Sequence, residues 1–208
     1  MVHRAALTRA ELPAFLKKLE KYDGHILTKL GLLMVVRTFV RSGELRGARW
    51  DEFDLEERLW RIPAERMKTG NEHLVPMSGQ VVEILERAHP ITGDHALLFP
   101  CQNNPRKVMS ENTLLFAMYR MGYHGRATVH GFRATASTIL NESGFDADVI
   151  ERQLAHVEKN KVRAAYHRSE YLEERKRMMQ WWSDFVDTQR DGGNVVAGKF
   201  GMTPNRPI

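Results

Sequence analysis

The first forty residues carry a helical rhythm. Leu12, Phe15, Leu16 and Leu19 recur at three- and four-residue intervals, and Thr8 followed by Glu11 has the spacing of a capping box. Gly24 interrupts this segment, and the more apolar run from Ile26 to Val40 predicts a second helix. Ser42-Gly43 ends that run, and Glu44-Leu45-Arg46 begins a short turn. From Trp50 to Met77 the pattern changes. Leu59 to Pro63 and His73 to Met77 read as short strands, with Met67-Lys68-Thr69-Gly70-Asn71 between them. Gly and Asn there supply the backbone freedom of a hairpin. Trp50 to Leu55 offers a third strand, and the prolines mark strand ends or a sheet edge.

Helical patterning then returns. Ser78 caps a helix carrying Val81, Val82, Ile84 and Leu85, and the polar stretch from Pro100 to Lys107 predicts a loop. Ser110 or Asn112 opens a helix through Tyr119 and Met121. Thr128 opens one that holds His130 to Glu142, with Gly144 as its stop. Asp146 caps the next, which ends near His156. The last predicted helix runs from Ser169 to Val186, with Leu172, Met179, Trp182 and Val186 on one face. After Arg190 the chain turns to Gly, Asn and Pro. The expected fold is mainly α with a small antiparallel β-sheet (α+β): one domain over residues 1–190 and a flexible tail over 191–208.

Composition narrows the function classes. A hydrophobic fraction of 42% in 208 residues fits a globular domain. Lys and Arg total 31 against 26 Asp and Glu, a net charge of +5, which permits a polyanionic partner without demanding one. Cys101 is the single cysteine, so no internal disulfide forms. Met1 to Lys17 lacks the long apolar run of a signal peptide, and Leu30 to Val40 is too short to span a bilayer. A cytoplasmic, reducing setting with no membrane association is expected.

Candidate chemistry lies in scattered residues: Arg41, Lys68, His130, Arg133, His156 and Tyr166. When a side-chain oxygen attacks a phosphodiester, negative charge gathers on the phosphate oxygens, and positioning plus charge stabilisation is what the protein must supply. Arginine suits this task, because its planar fork donates two hydrogen bonds and keeps its charge. No carboxylate cluster or HExxH-type spacing points to a metal, and no cofactor is expected. His130 and Arg133 are three apart and share a helix face. A free tyrosine hydroxyl is ionised in about one molecule in a thousand at pH 7, so activating Tyr166 requires roughly 4 kcal/mol, which two arginines and an imidazole can provide. Lys68 at a hairpin tip can protonate the leaving sugar oxygen. Singly, each has an ordinary explanation: a surface His-x-x-Arg pair, a packing tyrosine, a solvated lysine, a histidine facing a helix dipole.

Their order is more specific. Arg41-Ser42-Gly43-Glu44-Leu45 resembles the first arginine box of the tyrosine recombinases. Trp60 to Pro76 resembles their lysine-bearing hairpin, and His130-Gly131-Phe132-Arg133 their His-x-x-Arg box. Gln153-Leu154-Ala155-His156 is similar to their Leu-x-His box, and Ala164-Ala165-Tyr166 to their nucleophile segment. The phrasing is closest to the P4-like branch of prophage and genomic-island integrases, over about residues 8 to 187. The resemblance implies that Arg41, Arg133 and His156 bind the scissile phosphate, Lys68 is the general acid, His130 assists as base or relay, and Tyr166 forms a 3′-phosphotyrosyl bond without ATP or metal. Double-stranded DNA attachment sites, other protomers in a tetramer on DNA, and accessory DNA-bending or excision factors are the implied partners. Family members carry core-binding and arm-binding domains ahead of this one, whereas here the match begins almost at Met1, so those domains are expected to be absent.

Rival assignments stay open. Tyr171 competes with Tyr166, and Arg37 and Arg46 compete with Arg41. Glu44 is placed to orient an arginine. Arg49, Lys107, Arg126, Lys159, Lys161 and Arg163 are candidate DNA-backbone contacts, with solvated faces as the alternative. Trp181 and Trp182 suit a core, or an apolar C-terminal face docking on a neighbouring protomer. The same catalytic residues would serve a type IB topoisomerase-like enzyme, and a catalytically idle DNA-binding module is the competing non-enzymatic reading.

Overall fold

A computed structural model of the chain describes residues 5–156 and 171–193. Helix α1 (Leu12–Glu20) buries the four apolar residues of its predicted face. Thr8 and Glu11 meet as expected, with the Thr8 N–H donating to Glu11 Oε2 at 3.0 Å, but the regular helix starts only at Leu12. Helix α2 (Ile26–Thr38) is apolar nearly all round and is accordingly buried on nearly all sides. It lies at the centre, against α3 (Ser42–Arg46), α4 (Gly79–Thr92), α5 (Glu111–Arg120) and α8 (Leu172–Asp191).

The predicted sheet forms. Strands β1 (Phe53–Asp54), β2 (Leu59–Ile62) and β3 (His73–Pro76) are antiparallel in sequential order, with Trp60 opposite Val75 and Ile62 opposite His73. A 3-10 turn, Ala64–Arg66, intervenes before the turn at Gly70, whose φ of 66° glycine accepts without strain. Residues 100–107, expected as a loop, form most of a hairpin: β4 (Pro100–Cys101) pairs with β5 (Asn104–Val108). The polarity that suggested a loop is that of a solvent-exposed ribbon with almost no buried face.

Helices α6 (Gly131–Glu142) and α7 (Ala147–Gln153) follow. Gly144 turns the chain between them at φ 84°, and the Asp146 side chain caps α7. Of the face of α8 predicted from Leu172, Met179, Trp182 and Val186, the last three are buried together with Met178 and Phe185, while Leu172 at the helix start is half-buried. Trp182 packs edge-on against Phe39 and donates its indole N–H to the Val36 carbonyl at 2.8 Å, closing the end of α2. Half-buried Trp181 stacks on Phe185 and meets Phe145.

Candidate active site

Two helix ends make the site. Helix α2 stops because Phe39 adopts a left-handed conformation (φ 41°), and α7 is followed by a second left-handed residue, Ala155 (φ 48°). Non-glycine residues adopt this geometry at a cost of roughly 1–2 kcal/mol. Each turns a main-chain carbonyl toward an arginine. Arg133 Nη1 donates to Phe39 O at 2.8 Å, and its Nη2 donates to Leu154 O. Arg41 Nη2 donates to Ala155 O at 3.2 Å. The first arginine and the His-x-x-Arg arginine thus meet at the end of α7, one and two residues from His156, although 92 positions separate them in sequence (133 − 41).

Arg41 is oriented by Glu44. The buried carboxylate accepts the Arg41 main-chain N–H and its Nη1, both at 2.7 Å. Arg133 is buried on the first turn of α6, and its acceptors are neutral carbonyls. Burial, and then repulsion from Arg41, bring its pKa down to about 10, opposed by Glu44 and Glu151. It remains a cation at neutral pH. His156 is half-exposed just past α7, with Nδ1 2.6 Å from Glu151 Oε2. If that nitrogen carries the proton, Nε2 is the nitrogen left to face a ligand.

The other predicted residues divide. His130 is the exposed N-cap of α6, not an interior helical residue, and sits one turn from Arg133. Lys68 is exposed in the turn between β2 and β3, and no hydrogen bond or ion pair joins it to the arginines among the described residues. Tyr166, Lys159, Lys161 and Arg163 lie outside the described residues. Tyr171 is the half-buried N-cap of α8. Arg37 is buried, donating to Ser183 O and paired with Asp187 at 2.6 Å. Arg46 is committed to Met109 O at 2.7 Å. Of the DNA-contact candidates, Lys107 is exposed on β5, Arg49 is exposed beside Asp51 at 3.2 Å, and Arg126 is paired with Glu11 at 3.2 Å over the Tyr123 ring.

Three residues around this site were not singled out from sequence, His73, Glu151 and Arg175, and a fourth, Gln153, entered only as the first residue of the Leu-x-His-like motif. His73 is buried on β3, with Arg175, Arg133 and Arg41 acting on it electrostatically. Desolvation first, then these cations, hold its pKa well below the ordinary histidine value. A signal was available for Arg175: it occupies the apolar stripe that runs through Leu172, Met179, Trp182 and Val186. A charge in such a stripe marks a buried polar contact. Among the described residues, no group of three or more His, Cys, Asp or Glu is placed to hold a metal ion.

Residues 5–173 match the phage integrase family. The chain belongs to that family. It is 47% identical over 205 residues to the integrase of Enterobacteria phage P4, covering 91% of this chain and 47% of that protein. It is 42% identical over 186 residues to the prophage integrase IntA of Escherichia coli K12, covering 89% and 45%. It therefore spans about half the length of these curated relatives. The fold is that of an integrase from mycobacterium phage Brujita (TM-score 0.65, 20% identity, 94% of this chain and 61% of that one). It is also that of XerH site-specific recombinase bound to its difH substrate (TM-score 0.60, 20% identity, 82% and 52%). Among the described residues no helix is long and apolar enough to cross a membrane.

Proposed function

We propose that this chain carries the strand-cutting and rejoining chemistry of a site-specific DNA recombinase that integrates or excises a mobile element. The observation that supports this reading is the convergence of Arg41 and Arg133 on the carbonyls that close α7, beside His156. A phosphodiester bound there would meet two guanidinium forks and an imidazole, the set of donors that the charge of a pentavalent phosphate requires. In this reading the Tyr166 oxygen attacks phosphorus and the bond to the 5′ oxygen breaks. The Lys68 ammonium protonates that leaving oxygen, and His130 receives the phenolic proton. A 5′ hydroxyl from a second strand then attacks the phosphotyrosyl ester and releases Tyr166. The ester conserves the energy of the broken bond, so rejoining needs no other energy source.

The partners follow from the same reading. Double-stranded attachment-site DNA is the substrate. Solved relatives include a lambda integrase dimer on a core site and a tetramer on a Holliday junction. A tetramer of this protein on DNA, assisted by DNA-bending or excision factors, is the matching expectation. The test uses a labelled duplex of the element's junction sequence, nicked near the cleavage point. The intact protein should yield an adduct that survives denaturant, and Tyr166→Phe should yield none. An adduct of undiminished yield in Tyr166→Phe would refute the nucleophile assignment. Joining of two duplexes, rather than relaxation of one, separates recombination from topoisomerase action.

A further inference from the structure

The end of α7 is held from the front by Arg41 and Arg133, and from behind by a second, buried polar group. Arg175 on α8 is 4% exposed and Gln153, the last residue of α7, is 1% exposed. Arg175 donates to Gln153 Oε1 from Nε at 3.1 Å and from Nη2 at 2.7 Å, and Nη2 also donates to the Leu74 carbonyl of β3. Gln153 Nε2 points to the Thr38 carbonyl, the last residue of α2, at 3.5 Å. One buried point therefore ties together three segments. Thr38 lies three residues before Arg41, Leu74 lies on a strand of the Lys68 hairpin, and Gln153 lies three residues before His156.

Arg175 has no carboxylate partner among the described residues. A buried guanidinium that faces only neutral acceptors is a poor way to stabilise a core, because an apolar side chain of similar volume would do so without the desolvation cost. What the guanidinium offers instead is direction: several N–H vectors in a fixed plane that set the mutual register of the groups accepting them. His73, buried on β3, feels the charges of Arg175, Arg133 and Arg41, and desolvation first, then these cations, disfavour its protonation, so it adds no further charge to a crowded cationic region.

We propose that Gln153 and Arg175 are positioning residues for strand cleavage: a buried pair behind the phosphate cradle that fixes the end of α7, and through it the placement of Arg41, Arg133 and His156. This rests on the recombinase reading above. Neither residue touches DNA. Their effect is on the geometry of the groups that do, so the rate on bound DNA should fall while the affinity for DNA holds.

The experiment measures single-turnover adduct formation by the intact protein on the nicked junction duplex, across a range of DNA concentrations. Arg175→Met and Gln153→Leu should each lower the plateau rate by about 100-fold, the scale of a misplacement near one ångström. The half-saturating DNA concentration should stay within about threefold. The double variant should be no worse than either single one, because the two residues act as a unit. Arg175→Lys, which keeps a donor for Gln153, should recover part of the rate and serves as the probe if Arg175→Met does not fold. A plateau at the unsubstituted level in these variants would overturn the proposal. So would a loss of rate matched by an equal loss of affinity and by a lowered melting temperature, since that is the behaviour of a structural residue. Lack of adduct from the unsubstituted protein, or its persistence in Tyr166→Phe, would overturn the recombinase reading itself. Failure of the pair alone is distinct: the unsubstituted protein reacts, and the variants react equally well.

Discussion

Two sets of arginines, buried except for half-buried Arg66, lie on the scaffold, and the sequence does not distinguish them by type. Arg37 and Arg66 are neutralised: Arg37 by Asp187 at 2.6 Å, and Arg66 by Glu52, with further bonds to main-chain carbonyls. Arg133 and Arg175, as enclosed as Arg37 and more so than Arg66, are met among the described residues by carbonyl and amide oxygens without a formal charge. The first set closes the core. The second has no carboxylate in hydrogen-bond contact among the described residues, and burial lowers the pKa of Arg133 to about 10 and that of Arg175 to about 9. A protein that needed only cohesion would pair all four. The second set lies around the end of α7, the place that the recombinase reading gives to the phosphate.

Replacing members of the two sets should give opposite signatures. Arg133→Met should lower the adduct-forming rate by about 10³-fold, as loss of a donor to developing negative charge does. Its stability should change little in urea unfolding: orphaning two carbonyls costs about 1–3 kcal/mol each, and relief of a buried charge offsets much of this. Arg37→Met should do the reverse. It leaves Asp187 without its nearest cation and should cost about 3 kcal/mol of unfolding free energy. Gln80 and Arg190 still hold that carboxylate, which limits the loss. Adduct formation per folded molecule should be unchanged. A large stability loss in the first variant, or a rate loss in the second, would erase the distinction.

Acid should reveal the crowded charge as well. His73 has a folded pKa below its unfolded value near 6.5. Above that value both states are neutral and its contribution to stability is fully present. As pH falls through 6.5 the unfolded chain takes up a proton that the folded chain refuses, and stability drops by up to about 1.4 kcal/mol per pH unit until the folded pKa is reached. Unfolding curves from pH 8 to 5 should show this fall, and His73→Gln should flatten it. The smallest effects belong at the surface. If Lys107 and Arg49 contact DNA phosphates, each change to alanine should reduce the slope of log affinity against log salt by about 0.9. Arg126→Ala should reduce it less, because Glu11 already engages that guanidinium.

Much of the fold was legible in the sequence. The periodic runs of α1, α2 and α8 and the capping residues Ser78, Ser110 and Asp146 each have a local cause that the structure reproduces. The hairpin at residues 100–108 was not, because an exposed ribbon lacks the alternation that a half-buried strand displays. The arginine boxes were recognisable by order, yet their meeting depends on two helix ends brought together by tertiary packing. Arg37 and Arg41 are four residues apart, and only the fold shows that one faces Asp187 and the other Ala155. Gln153 was quoted as part of a box, but its partner lies 22 residues later on another helix (175 − 153), beyond what spacing reveals.

The left-handed residues at the two helix ends, Phe39 and Ala155, have a consequence for protein engineering. Glycine is the usual remedy at such a site, since without a Cβ it adopts the left-handed conformation at no steric cost. At these positions it would also remove what keeps the peptide plane still. The Phe39 ring is wedged against Trp182, so its carbonyl is aimed by the weight of an indole as well as by a dihedral angle. Glycine at Ala155 would hold Arg41 on a swivelling acceptor, so strain relieved there would be traded for blurred aim, whereas at Phe39 it would also empty the place of a fully buried ring, a loss of about 3–5 kcal/mol that outweighs the relief.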